Sequence, residues 1–298
     1  MIDFIRMGRP LFLVGGFLFN GLGAAMGTRM GASLNLPVFL LGQLIITATQ
    51  LMTHYSNDYF DLEADRANLT PTHWSGGSRI LPDNLVRPSA ALGAAFLLAA
   101  IAVAGTVALV VGQDPGPLTA PLLLLSLVLA WSYSAPPLRL HSTGVGELVA
   151  ALLVPGLTPL IGFYLQMGRL ALLPLLAVVP LCCFQFAMLT IINFPDAEGD
   201  AVAGKRTLVV RLGGARAARL GMGALALAYG SLPFLVWSGL PAAAAGAIGA
   251  GAPVGIWQFM RLRRGDWANP DAWDSLGFWA VGLLVGTVAL ELIVFILM

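Results

Sequence analysis

Charge is scarce in this chain. Its 16 Lys and Arg and 15 Asp and Glu are 10% of 298 residues, against roughly a quarter in an ordinary soluble domain, while 58% are hydrophobic. That balance excludes a soluble single-core protein, and the same apolar excess excludes a disordered chain. A formal net charge of +1 with no basic block leaves no electrostatic footprint for nucleic acid. Cysteine is nearly absent. Cys182 and Cys183 are neighbours, a spacing from which disulfide geometry is hard to reach, so they read as small buried thiols and fix no redox compartment. The three histidines, His54, His73 and His141, show no metal-ligand spacing with cysteine or with one another.

What the chain has in abundance is long apolar runs. About 20 apolar residues of helix cross the roughly 30 Å hydrocarbon core of a bilayer. Nine such runs fit, at 11–28, 36–56, 90–112, 116–134, 147–167, 170–193, 216–238, 240–260 and 276–298. The connectors are too short for a separate extramembrane domain, so residues 1–298 read as one membrane-embedded, all-α bundle. The first run, preceded by Arg6 and Arg9, is long enough to span and reads as a retained helix in place of a signal peptide.

The few charges carry direction. Nine spans put 14 of the 16 basic residues on the side of the N-terminus and only Arg29 and Arg169 opposite, which predicts a cytoplasmic N-terminus and a C-terminus on the far side. The localisation that follows is a bacterial inner membrane. Thirteen of the 15 acids share the cytoplasmic side; Asp114 and the intramembrane Glu291 are the exceptions. Seven crowd two short segments: Asp58, Asp61, Glu63 and Asp65, then Asp196, Glu198 and Asp200.

In the first segment Asn57, Asp61 and Asp65 recur at i, i+4 and i+8, one face of a continuing helix. In the second, Asp196 and Asp200 are at i and i+4, with Asn193 one turn before and Pro195 suited to open a helical turn. Asp61 and Asp196 are 135 residues apart, and each segment follows the second helix of a four-helix set. This placement predicts two four-helix pseudo-repeats plus a ninth helix. Crowded carboxylates at a membrane boundary repel one another and need a counter-charge; oxygen ligands suit Mg²⁺, which completes its octahedron with water and phosphate oxygens. Lys205, Arg206 and Arg79, the last beside the Gly76-Gly77-Ser78 turn, add cations fit for a metal-bound diphosphate. The main competitor outside the enzymes is an ion-coupled transporter, whose site would lie near the bilayer midplane; acids grouped with cations at one face suit a diphosphate better.

The segments NDYFDLEAD (57–65) and NFPDAEGDAVAGKRTLVVRLG (193–213), with YSAPPLRL (133–140) between them and Arg9-Pro10 opening the first run, resemble the UbiA superfamily of intramembrane prenyltransferases. NDYFD, SGGSR and GKRTLVVRLG are most similar to its 1,4-dihydroxy-2-naphthoate polyprenyltransferase branch, which serves menaquinone synthesis. The resemblance implies transfer of a polyprenyl group from an allylic diphosphate to an aromatic acceptor, with Mg²⁺, two ions being expected. It implies that Asn57, Asp61, Asp65, Asp196 and Asp200 hold metal, and that Asp58, Arg79, Lys205, Arg206, Arg139, Arg9, Ser134 and Asn193 line the diphosphate site. Tyr133 would face the reacting carbon. This chain departs from the branch at Asn193-Phe194-Pro195 and at Arg139, where relatives carry other residues, and both departures bear on the acceptor. Other acceptors in the superfamily include 4-hydroxybenzoate, homogentisate, chlorophyllide and haem.

An odd span count has a direct readout. Alkaline phosphatase fused after Met298 is expected to be active in cells, whereas fluorescent-protein fusions there stay dark; the reverse result removes one span from the count.

Overall fold

The computed structural model describes residues 2–298. In chain order its helices are α1 (Ile2–Met7), α2 (Pro10–Arg29), α3 (Leu36–Phe60), α4 (Leu62–Ala67), α5 (Pro88–Gln113), α6 (Thr119–Ser134), α7 (Gly146–Ala151), α8 (Thr158–Met167), α9 (Leu172–Ile192), α10 (Ala197–Val202), α11 (Leu208–Leu212), α12 (Gly214–Gly230), α13 (Leu232–Trp237), α14 (Ala242–Ala250), α15 (Ala252–Arg264) and α16 (Pro270–Leu297). There is no strand among the described residues. Proline opens several of them, including α2, α3, α5 and α16, where the missing N–H is one the first turn leaves unused anyway.

Seven segments are long and apolar enough to cross a bilayer: α2, α3, α5, Gly146–Met167, α9, Gly214–Trp237 and α16. Gly146–Met167 joins α7 to α8 through a π-helical stretch, Leu152–Leu157, around Pro155, whose lost donor that wider turn accommodates. The two remaining expected spans lie outside these seven. α6 has 16 residues, about 24 Å at 1.5 Å per residue. The run over 240–260 is two helices, α14 and α15, meeting at Gly251, because Pro253 removes an amide just where the ladder would continue.

Large apolar side chains such as Val111, Trp237 and Leu297 are about four-fifths exposed, so the bundle is as apolar outside as within and its surrounding solvent is lipid. Without a hydrophobic drive between helices, association relies on close packing and polar ties. At Gly23 the backbones of α2 and α8 nearly touch: a Cβ there would overlap the Pro159 carbonyl and lie 2.6 Å from the Phe163 amide nitrogen. Asn20 donates to Gln43 at 3.0 Å, and Gln43 to Thr47 at 3.0 Å, tying α2 to α3. In each half the second helix packs on the third, α3 on α5 and α9 on α12. α16 closes the bundle against α9 and α2. Its Glu291 is fully buried with neither carboxylate oxygen bonded among the described residues.

The α2–α8 contact predicts that Gly23→Val lowers the melting temperature in detergent, at a cost of about 1–3 kcal/mol from overpacking. Gly282→Ala, where a Cβ meets nothing within 4 Å, leaves the transition unchanged or slightly higher.

Candidate active site

The helix ending at Phe60 bends without letting go of its hydrogen bonds. Asp61 leaves helical geometry (φ −97°, ψ 3°), yet its amide still bonds the Asn57 carbonyl at 2.8 Å and the Asp65 amide bonds the Asp61 carbonyl at 2.8 Å. Asn57, Asp61 and Asp65 therefore stay on one face through the bend into α4. In the second half Asp196 caps α10, and the Asp200 amide bonds its carbonyl at 2.8 Å. The two short helices cross at Gly199, where a Cβ would lie 2.8 Å from the Asn68 backbone and 3.0 Å from the Ala64 carbonyl. Asn68 fastens the crossing by donating from Nδ2 to Asp196 at 2.7 Å.

Lys205 sits between the two motifs. Its Nζ is 2.9 Å from Asp61 Oδ2 and 3.4 Å from Asp200 Oδ1, and His141 Nε2 meets Asp61 Oδ1 at 2.5 Å. Burial alone would raise the Asp61 pKa, but Lys205 and His141 hold it well below the usual carboxylate range. Burial works against charge on Lys205 too, and Asp61 and Asp200 outweigh it, so the ammonium is held charged. Asp65 has no such partner: burial first, then the charges of Asp61 and Asp58, push it up to about 8. Asp200 rises to about 7, mainly by burial and partly offset by Lys205, and Asp196 is raised by burial as well.

The Ser75–Arg79 turn wraps the first motif. Gly76 and Gly77 have φ of +76° and +73°, and a side chain on Gly77 would overlap the Asp65 carboxylate, so glycine is required twice over. Arg79 donates to the Asp65 main-chain carbonyl, while Arg9 and Ser78 both bond Asp58. Asn57 donates to Asp61 Oδ2 at 2.9 Å and to Ser134, which is fully buried, at 3.1 Å. It turns its amide nitrogen to Asp61, so metal ligation through oxygen requires the amide to rotate. The Tyr133 ring centroid lies 5.5 Å from that of His141.

Three expected site residues stand apart from the cluster. Arg139 and Arg206 are exposed, and among the described residues neither side chain bonds the cluster; Arg206 contributes only its amide, to the Ser142 carbonyl at 3.1 Å. Asn193 donates to Glu147 at 2.9 Å, a tie between the end of α9 and the start of α7. Conversely, His141, Asn68, Gly199 and Ser78 stand at the cluster with no role expected of them; Gly199 and Ser78 lie within the quoted motifs, whereas His141 and Asn68 carry no sequence signal. His141 and Asp61 are 80 residues apart and Asn68 and Asp196 are 128 apart, separations that no local spacing encodes.

Five carboxylates (Asp58, Asp61, Asp65, Asp196, Asp200) face three fixed cations, Arg9, Arg79 and Lys205, and Asp200 Oδ2 is buried with no partner. The donors are hard oxygens and the surplus charge is negative, so the residues fit a divalent cation of the Mg²⁺ kind. Among the described residues no group of three or more His, Cys, Asp or Glu is gathered closely enough to hold a metal ion by itself.

Apolar spanning helices with two facing acidic motifs at one end define an integral membrane protein with a charged cluster beside lipid. The chain belongs to the UbiA prenyltransferase family, whose model matches residues 17–281. It is a prenyltransferase. It is 28% identical over 227 residues, 75% of each chain, to a protein of Mycobacterium tuberculosis named 1,4-dihydroxy-2-naphthoate octaprenyltransferase. It is 30% identical over 218 residues, 70% of this chain and 69% of the other, to the lycopene elongase/hydratase of Halobacterium salinarum. The solved structure of a UbiA homologue from Archaeoglobus fulgidus bound to DMAPP and Mg²⁺ shares the fold, with a TM-score of 0.62 and 17% identity over 97% of this chain and 99% of that one.

Because Gly199 sets the distance between the motifs, Gly199→Val forces α10 off α4. Turnover is expected to fall by about a hundredfold or more, the usual penalty for a misplacement of about 1 Å, with Gly223→Ala in α12, where a Cβ meets nothing within 4 Å, as the control for expression effects.

Proposed function

We propose that the chain transfers a polyprenyl group from an allylic polyprenyl diphosphate to an aromatic acceptor, 1,4-dihydroxy-2-naphthoate, releasing diphosphate and carbon dioxide and giving demethylmenaquinol, the reduced form of demethylmenaquinone. The observation that carries the reading is Lys205 bridging Asp61 and Asp200 amid surplus carboxylates at one end of an apolar bundle. A headgroup needing metal and cations, attached to a tail needing lipid, matches that arrangement. The named activity of the M. tuberculosis relative supports the acceptor.

Asp61, Asp65, Asp196 and Asp200, with Asn57, would hold Mg²⁺, as two ions. When bound, it supplies Lewis-acid neutralisation of the diphosphate that leaves. Lys205 and Arg79 add fixed positive charge to the leaving group, with no reorganisation at the moment C1–O breaks. Tyr133 turns an electron-rich ring toward the carbon that becomes positive. His141 keeps Asp61 in one orientation while Lys205 exchanges a carboxylate for a phosphate oxygen. Arg9, Asp58 and Ser78 form a rigid wall behind the first motif, with Ser134 fixing Asn57; Arg139 and Arg206 would reach the diphosphate only by turning inward. In this reading nine segments cross the bacterial inner membrane as two four-helix sets plus α16, with the N-terminus and active site cytoplasmic and the C-terminus opposite.

A second acceptor class is favoured by the H. salinarum relative, whose name implies attachment to an isoprenoid hydrocarbon. Purified protein incubated with Mg²⁺, an allylic diphosphate and a panel of dihydroxynaphthoate, hydroxybenzoate, homogentisate and lycopene, read by mass spectrometry, separates the two. The expected product is the prenylated, decarboxylated dihydroxynaphthalene; prenylated lycopene alone overturns the aromatic reading. Asp61→Asn and Asp196→Asn are each expected to lower turnover by several orders of magnitude in folded protein. Activity within about tenfold of wild type, only about 1.4 kcal/mol of transition-state stabilisation, takes that residue out of the metal site.

A further inference from the structure

Glu147 belongs to neither acidic motif, is 2% exposed, and opens the segment Gly146–Met167. One of its oxygens is fully used: Oε1 accepts from Asn193 Nδ2 at 2.9 Å and from the Leu208 amide at 3.1 Å. The other, Oε2, is buried and has no partner. Thr207, next to Leu208, is 2% exposed and its hydroxyl is also unpartnered. An unmade hydrogen bond on a buried group is costly, and more so when the group is charged. The structural tie between α7, α9 and α11 needs only Oε1, which an uncharged Gln would supply as well.

Glu147 stands against the reaction site. Gly146 is pressed onto the His141 backbone so closely that a Cβ would overlap it, and His141 bonds Asp61. Tyr133, in turn, lies beside His141, with the ring centroids 5.5 Å apart. A free carboxylate oxygen there requires a hydrogen-bond donor. The diphosphate is anionic and offers none, and the prenyl tail is hydrocarbon. The remaining reactant with an O–H to give is the acceptor.

We propose that Glu147 binds and orients the acceptor, its Oε2 accepting a hydrogen bond from a ring hydroxyl while Asn193 and the Leu208 amide hold Oε1. This rests on the aromatic-acceptor reading above. The hydroxyl proton stays on the acceptor; polarising the O–H toward the carboxylate enriches the ring that attacks C1.

The test uses the full chain with an allylic diphosphate and Mg²⁺, taking 1,4-dihydroxy-2-naphthoate and its two mono-O-methyl ethers as acceptors. Glu147→Gln keeps an oxygen for Asn193 and Leu208 but replaces the free oxygen with an N–H₂ donor. The acceptor KM is expected to rise at least about tenfold with the donor KM and melting temperature unchanged. Wild type is expected to reject one methyl ether by about a hundredfold or more, and the variant to lose that discrimination. If Glu147→Gln does not fold, Glu147→Asp carries the same test by withdrawing the carboxylate one methylene. Retained discrimination in the variant, or donor and acceptor KM rising together, overturns the assignment. A wild type that prenylates no hydroxylated aromatic overturns the aromatic reading and this assignment with it, whereas an active wild type matched by its variant overturns the assignment alone.

Discussion

The structure depends on gathering like charges at a lipid boundary without letting them scatter. At an effective dielectric of about 20, two unit charges about 4 Å apart interact by about 4 kcal/mol, so each uncompensated carboxylate pair is a large local cost. Lys205, bonded to Asp61 and Asp200, offsets part of it, and Arg9 on Asp58 offsets another part. What is left uncompensated falls on Asp65 and Asp200, whose carboxyls burial and their acidic neighbours push up to about 8 and about 7.

The scaffold is organised around that demand. α4 and α10 are too short to be stable by themselves, since isolated helices below about 12 residues are marginal. They persist because α3 and α9 deliver them to the same end of the bundle and Gly199 lets them cross in backbone contact. The glycine turn at Gly76 and Gly77 then closes over Asp65. Elsewhere the bundle economises on polarity, with a few interhelical ties such as Asn20 to Gln43 and close backbone approach at Gly23.

Much of the fold was legible in the residues. Each of the nine apolar runs is helical, because apolar composition over about 20 residues leaves few alternatives in a membrane. Less legible were the interruptions at Leu152–Leu157 and Gly251, where a single proline and its neighbours decide whether the ladder bends or breaks. In the site, i, i+4 spacing anticipated the shared face of Asp61 and Asp65 and the turn joining Asp196 to Asp200, because helical geometry is local. The exposure of Arg139 and Arg206 and the bond from Asn193 to Glu147 were not legible, since short-range spacing does not set the direction of a side chain.

By itself the sequence determined the solvent, the helices and the identity of the acidic motifs, for all three follow from composition and short-range periodicity. Only the tertiary structure decided who meets whom: His141 on Asp61, Asn68 on Asp196, Lys205 across both motifs, and a buried Glu147 with one oxygen left free. Those contacts join residues up to 144 positions apart, and their geometry depends on helix packing that no local pattern encodes.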